Sequence, residues 1–326
     1  MLYRPLGRTG WNISAVGFGA WAIGGTWGDT DDTAAMAALH RALDRGVNFF
    51  DTADVYGDGH SERLLAKLRK ERPSDAFHVA TKAGRRLNPH VADGYRDLRP
   101  FIERSLQNLD TDAIELLQLH CPPTAVYTMP EVFGALDDLV REGKLRHYGV
   151  SVERIDEALA ALRYPGVQSV QIIINLFRQR PATDLLPAAQ AAQVGVLARL
   201  PLSSGMLSGK FSRDSRFSAD DHRAFNRQGE AFDKGETFSG VDYEQGLAAV
   251  DELRSLLPQG VSMARLALRW ILMHEAVTAA IPGGRTPAQV DENVSAADLA
   301  ALPAPLMQAL ADLYQRRIAP QVHALW

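Results

Sequence analysis

Short apolar runs alternate along this chain with longer stretches in which apolar residues recur every three or four positions. The short runs are AVGFG (15–19), VNFFD (47–51), FHVATK (77–82), AIELLQLH (113–120), RHYGVS (146–151), VQSVQIIIN (167–175), VGVLARL (194–200) and AVTAAIPG (276–283). Each is followed by a helical pattern: 31–46, 61–70, 100–110, 130–144, 152–162, 182–192, the pair 241–257 and 262–274, and 286–297. A further helix is predicted over 305–317. Strands that alternate with helices, and are apolar on both faces, point to parallel βαβ units with a covered sheet. Eight such units predict an α/β fold of the (β/α)8 barrel type, preceded by a hairpin turning at Arg8–Gly10 and interrupted by a long polar loop, 203–240. The rival is a doubly wound sheet, which needs a glycine fingerprint after its first strand. GFGAWAIGG (17–25) has Gly17 and Gly19 but Ala22 where the third glycine belongs. No repeat or composition break divides the chain, so residues 1–326 are expected to form one domain.

Composition narrows the classes. Apolar residues make up 46% and charged residues 23%, with a net charge of −4, an ordinary globular balance that can fill a large core. No basic block points to nucleic acid or to a membrane surface. No apolar run approaches the ~18 residues of a membrane span, and the first residues lack the apolar core of a signal peptide. Cytoplasmic location is expected. Cys121 is the single cysteine, so no intramolecular disulfide can form. The histidines show no metal-ligand spacing, and no metal is expected.

Catalytic side chains of a barrel project from the C-terminal ends of its strands. There the sequence places Gly19, Ala20 and Trp21, then Asp51 with Tyr56 in the following loop, Lys82, His120, Ser151, Gln171 and Asn175, Arg199, and Pro282-Gly283-Gly284-Arg285. A lysine ending a buried run needs a counter-charge, and Asp51 on the neighbouring strand is the natural one. An ammonium beside the Tyr56 hydroxyl would lower the pKa of the phenol and suit it to act as a general acid. A neutral His120 could hold a substrate oxygen against Tyr56. Gly57 and Gly59 shape the turn, and Asp54 reads as a turn-stabilising acid.

These motifs resemble the aldo-keto reductases, nicotinamide-dependent enzymes on a (β/α)8 barrel. The likeness runs from LGRTGWNISAVGFGAW to IPGGRTPAQVDENV, through DTADVYG, Thr81-Lys82 and LLQLH. It implies a catalytic set of Asp51, Tyr56, Lys82 and His120 and the reduction of a small aldehyde or ketone. It also implies a cofactor site of Gly19, Ala20, Trp21, Asp51, Ser151, Gln171, Arg199, Pro201, Leu202, Gly205, Lys210, Gly283, Gly284, Arg285, Gln289, Glu292 and Asn293. The substrate would meet Trp27, Tyr56 and His120. Arg285, placed for a 2′-phosphate, favours NADPH, with NADH possible. The chain departs from the family pattern at Val152, where a carboxamide contact is lost, and at Arg199, which replaces a tyrosine that stacks on the nicotinamide. A guanidinium there would favour the neutral, reduced cofactor.

Other readings stand beside these. Lys82 could form a Schiff base in an aldolase, although Tyr56 and the IPGGR segment argue against it. The same fold could serve as a cofactor-binding regulatory subunit. Arg85 and Arg86 could draw an acidic substrate or simply be solvated, and Cys121 reads as a small buried hydrophobe. The aromatics Trp27, Tyr127, Phe211, Phe217, Phe225, Phe232 and Phe238 are candidate pocket walls. Trp326 is expected to pack on the barrel or on a partner, and the oligomeric state is not legible.

Overall fold

The computed structural model of the chain describes residues 1–24 and 31–326. Trp27 therefore lies outside the described residues. The chain opens with an antiparallel hairpin, β1 (Tyr3–Pro5) and β2 (Asn12–Ser14). Eight parallel strands follow: β3 (Phe18–Gly19), β4 (Phe49–Asp51), β5 (His78–Ala83), β6 (Ile114–His120), β7 (Leu145–Ser151), β8 (Val167–Ile173), β9 (Gly195–Arg199) and β10 (Val277–Ala280). They pair in sequence order. Parallel bridges Val16–Ala280 and Gly19–Gly283 join the first strand to the last, so the sheet curls round on itself. This is the (β/α)8 architecture that the strand–helix alternation predicts.

The outer layer is α1 (Asp32–Asp44), α2 (His60–Glu71), α3 (Arg99–Leu109), α4 (Pro130–Arg141), α5 (Ile155–Ala161), α6 (Arg180–Asp184), α7 (Leu186–Ala191), α8 (His222–Phe225), α9 (Tyr243–Arg254), α10 (Met263–Leu272) and α11 (Pro287–Ser295), with α12 (Ala304–Leu313) and α13 (Ala319–Val322) closing the chain. Three predicted helices differ for identifiable reasons. The segment 182–192 is two short helices because Pro187 lacks the N–H that a continuous helix would need. The helix predicted from 152 starts at Ile155, since the Glu157 carboxylate accepts from the N–H groups of Glu153 and Arg154 and ends the extended chain there. The helix predicted over 305–317 gives way at Tyr314 to a wider turn, Tyr314–Ile318, ahead of Pro320. Among the described residues no helix is long and apolar enough to cross a membrane.

Two cores explain how the site is positioned. The larger lies between sheet and helices. The smaller fills the barrel interior with Phe49, Ala80, Leu116, Leu197 and Ala279, and the hairpin closes its lower end with Leu6 and Ile13. Hairpin and barrel press together at Gly7 (φ +52°), where a Cβ would stand 2.4 Å from the Gln168 carbonyl oxygen. Side chains alternate along a strand, so each interior residue dictates the one two positions on. Phe49 leads to Asp51, Ala80 to Lys82, Leu116 to Gln118 and then His120, and Leu197 to Arg199. A dry apolar floor thus carries a charged and polar upper layer at the C-terminal end of the strands.

Candidate active site

Strand register brings the predicted residues side by side. Gly19 pairs with Asp51, Lys82 with Gln118, and His120 with Ser151, which in turn pairs with Gln171. Lys82 is buried, and its Nζ donates to Asp51 Oδ2 at 2.6 Å and to the Thr52 carbonyl at 2.8 Å. The other carboxylate oxygen of Asp51 accepts from Gln171 Nε2 at 2.7 Å and from Gln118 Nε2 at 3.2 Å. A buried ion pair is tolerable only when its remaining polar atoms are satisfied, and here three side chains serve one carboxylate. Gln118 was not singled out from the sequence. Its signal was parity, since it sits between Leu116 and His120 on the same face of β6.

Tyr56 stands over this pair. Lys82 Nζ lies 5.3 Å from its ring centroid, the His120 ring meets it edge-on at 6.0 Å, and Trp21 stacks on it at 5.8 Å. The loop carrying Tyr56 packs against the first strand's loop at Gly57 (φ +58°), where a Cβ would fall 1.5 Å from the Gly24 carbonyl oxygen. Only glycine fits there. The lowered phenol pKa expected from Lys82 is not found. Burial, then the negative charges of Asp51 and Glu236, push the Tyr56 phenol well above its ordinary value, although Arg85 and Arg199 pull the other way. Lys82 spends its charge on Asp51, and desolvation dominates. Burial, then Arg85, Lys82 and Arg199, drive the His120 pKa far down, so its imidazole is neutral. Its Nδ1 is buried without a hydrogen-bond partner among the described residues.

Asp54 is more than a turn residue. It is fully buried, neither carboxylate oxygen has a hydrogen-bond partner among the described residues, and the Arg86 guanidinium is 3.7 Å away. Burial and the nearby Glu62 raise its pKa to about 7. Asn175 has a structural role, donating to the Leu200 carbonyl and to Ser239. Cys121 is buried, with burial raising its thiol.

A cavity of about 660 Å³ begins at Asp51, Tyr56 and His120 and runs to the start of α11. Gly19, Trp21, Ser151, Gln171, Arg199, Pro201, Leu202, Gly205, Lys210, Gly283, Gly284, Arg285, Gln289, Glu292 and Asn293 all line it. Ala20 does not; it is wholly buried, with its N–H donating to the Asp51 carbonyl and its own carbonyl accepting from Ser61. At the far end Thr286 caps α11 by accepting from the Gln289 N–H, the Arg285 N–H donates to Gln289 Oε1, Glu292 accepts from Ser262, and Asn293 donates to the Gly283 carbonyl. Val152 is buried, its carbonyl accepting from Arg199 Nη2 at 3.0 Å.

Arg199 also meets Glu236, Nη1 to Oε1, at 3.1 Å, and Arg85 grips the same carboxylate at 2.5 and 3.2 Å. The expected bias of Arg199 against an oxidised, cationic ring assumed a bare guanidinium. Glu236 offsets much of that charge. Glu236 lies near the end of the long polar loop, and no sequence signal set it apart. Arg85 is not a solvated residue, whereas Arg86 holds Asp54 and Asp58. Cys121, Glu153 and Glu236 bring three potential metal-ligating side chains together, but the two guanidiniums on Glu236 oppose a cation there. Of the candidate aromatics, Phe211 lines the cavity, while Phe217 and Phe238 pack with Tyr243 and Tyr127 is core. Phe232 meets Trp21 edge-on at 6.4 Å, and Phe225 is exposed.

Comparison with known proteins gives a consistent result. The model of the Aldo/keto reductase family matches residues 15–315. Aldo-keto reductase YhdN of Bacillus subtilis (strain 168) is 32% identical over 300 residues, covering 89% of this chain and 87% of that one. The glycerol dehydrogenase AKR11B4 from Gluconobacter oxydans superposes with a TM-score of 0.79 at 32% identity, over 97% of this chain and 96% of that one. A probable voltage-gated potassium channel subunit beta of Arabidopsis thaliana is 29% identical over 331 residues, 94% of each chain. With a family match across nearly its whole length and close likeness to a solved member, the chain belongs to the aldo/keto reductase family, whose members are oxidoreductases.

Proposed function

We propose that the protein reduces small aldehydes or ketones to alcohols with NADPH, using Tyr56 as the general acid. The observation that carries this is the convergence of Lys82, Asp51, Tyr56 and His120 at one end of a cavity whose other end holds Arg285. The cavity suits an extended dinucleotide: exposed backbone at Gly283, a capped helix start at Thr286 and the half-buried Arg285 guanidinium sit at the phosphate end. When bound, the cofactor supplies the hydride. Gln171 and Ser151 would hold the nicotinamide amide, and Trp21 and Arg199 would wall its ring. Neutral His120 aims the substrate oxygen at Tyr56 as a hydrogen-bond donor. Tyr56, kept protonated by burial, gives its proton to the oxygen as negative charge builds there, and alkoxide is a far stronger base than phenolate. Arg85 and Arg199, the cations that pull the phenol down, would help to stabilise the phenolate left behind, while Lys82, pinned by Asp51, stands 5.3 Å from the ring centroid.

The cofactor assignment has its own test. Arg285→Ala should weaken NADPH by about 1.5–3 kcal/mol, the scale of a hydrogen bond to a charged group, and leave NADH nearly unchanged, as read by fluorescence titration of both. Equal losses would place Arg285 on the pyrophosphate or in a structural role. The competing reading, a cofactor-binding regulatory subunit, draws on the likeness to the Arabidopsis protein. It predicts tight NADPH binding with no carbonyl-dependent oxidation of the cofactor.

A further inference from the structure

At the carbonyl end of the cavity one buried carboxylate sits between two guanidiniums. Glu236 is 3% exposed, Arg85 binds both of its oxygens, and Arg199 shares Oε1. Arg85 and then Arg199 overcome the effect of burial and hold its pKa at about 2, so it stays ionised. Lys82 is spent on Asp51, and Glu153 lies 3.4 Å from Arg85. Burial, then Asp233 and Glu236, push the Glu153 carboxyl up to about 7, so it offsets only part of the remaining positive charge at neutral pH. Two fixed guanidiniums around one point form a ready site for a carboxylate or phosphate, and Glu236 already occupies it.

The segment that delivers Glu236 is fastened from behind. Asp233 Oδ1 accepts from the Gly235 N–H at 2.7 Å, and Ser204 Oγ donates to the Glu236 carbonyl at 2.9 Å. The Trp326 indole N–H donates to Asp233 Oδ2 at 3.0 Å, and the Arg178 guanidinium lies over its ring at 3.7 Å. The indole rests against bare backbone: a Cβ at Gly240 would come within 2.5 Å of it and one at Gly235 within 3.1 Å.

We propose that Glu236, latched by Trp326, is a specificity residue that offsets the Arg85 and Arg199 charges, so that the pocket prefers uncharged carbonyl substrates to those bearing a carboxylate or phosphate. This rests on the carbonyl-reduction reading above. Trp326 acts through the 233–240 segment and is a positioning residue. The test compares wild type with Glu236→Gln, which keeps the side-chain shape and one acceptor oxygen for the guanidiniums but removes the charge. Benzoate and benzamide are titrated calorimetrically into the protein saturated with NADP⁺, and 4-formylbenzoate and 4-formylbenzamide are compared as substrates. Glu236→Gln should tighten benzoate relative to benzamide by at least about tenfold, the modest end of what a like-charge juxtaposition costs. The ratio of kcat/KM for the carboxylate over the amide should rise in parallel. A benzoate-to-benzamide ratio that stays within about twofold of wild type overturns the proposal. Absence of turnover in all proteins would count against carbonyl reduction, while the binding arm still decides the charge assignment. Trp326→Ala should move the same ratio in the same direction by less, and Trp326→Phe, which keeps a ring under Arg178, by less again. A Trp326→Ala ratio identical to wild type, beside a shifted Glu236→Gln, overturns the latch.

Discussion

Tyr56→Phe is expected to bind NADPH as the wild type does and to lose carbonyl reduction by roughly 10²–10⁴-fold, the range that a positioned general acid supplies. The substitution removes one oxygen and keeps the ring. The stack on Trp21 and the edge contact with His120 therefore survive, and so does the loop held at Gly57. Loss of rate with retained affinity then reports on the proton alone. The raised phenol pKa is compatible with this role. A general acid must hold its proton until the substrate oxygen becomes basic, and burial ensures that. Near-normal turnover would move the proton source elsewhere, with His120 or a bound water the next to examine.

Lys82→Met should be at least as damaging to turnover and should also destabilise the fold, by the ~3–5 kcal/mol typical of removing one partner from a buried ion pair. Lys82 is 1% exposed, and the buried Asp51 side chain would lose its cation and keep Gln118 and Gln171 as its side-chain donors among the described residues. Double replacement, Lys82→Met with Asp51→Asn, should recover much of the stability and none of the activity. Chemical denaturation of the three proteins checks the first part and steady-state rates the second. A single variant as stable as wild type would mean that Asp51 takes up a proton or reaches another cation.

Much of this architecture was legible because it is periodic. Alternation of strand and helix gave the barrel, and residues at strand ends gave Asp51, Lys82, His120 and Ser151. The hairpin was legible from its turn at Arg8–Gly10, whereas the packing of Leu6 and Ile13 into the barrel floor emerges only from the structure. What escaped notice depends on contacts across long sequence separations. Glu236 lies in an irregular loop, 151 residues from Arg85 and 37 from Arg199, and loops carry no period from which a facing direction can be read. Asp54 resembles any turn aspartate until its burial is known. The phenol of Tyr56 went the other way from expectation because proximity to Lys82 was legible and desolvation was not. Helix ends shifted where Pro187 or a capping glutamate acted locally, signals that apolar spacing does not register.

If the proposed function is right, this chain moves a hydride from a nicotinamide to a carbonyl carbon. The direct measurement supplies NADPH deuterated at both C4 positions with a panel of neutral aldehydes and ketones, and analyses the alcohols by mass spectrometry and NMR. The expected product is alcohol carrying one deuterium on the former carbonyl carbon, formed in step with cofactor oxidation and nearly abolished in Tyr56→Phe. Tight cofactor binding with no labelled alcohol from any carbonyl would contradict it and leave the regulatory reading standing.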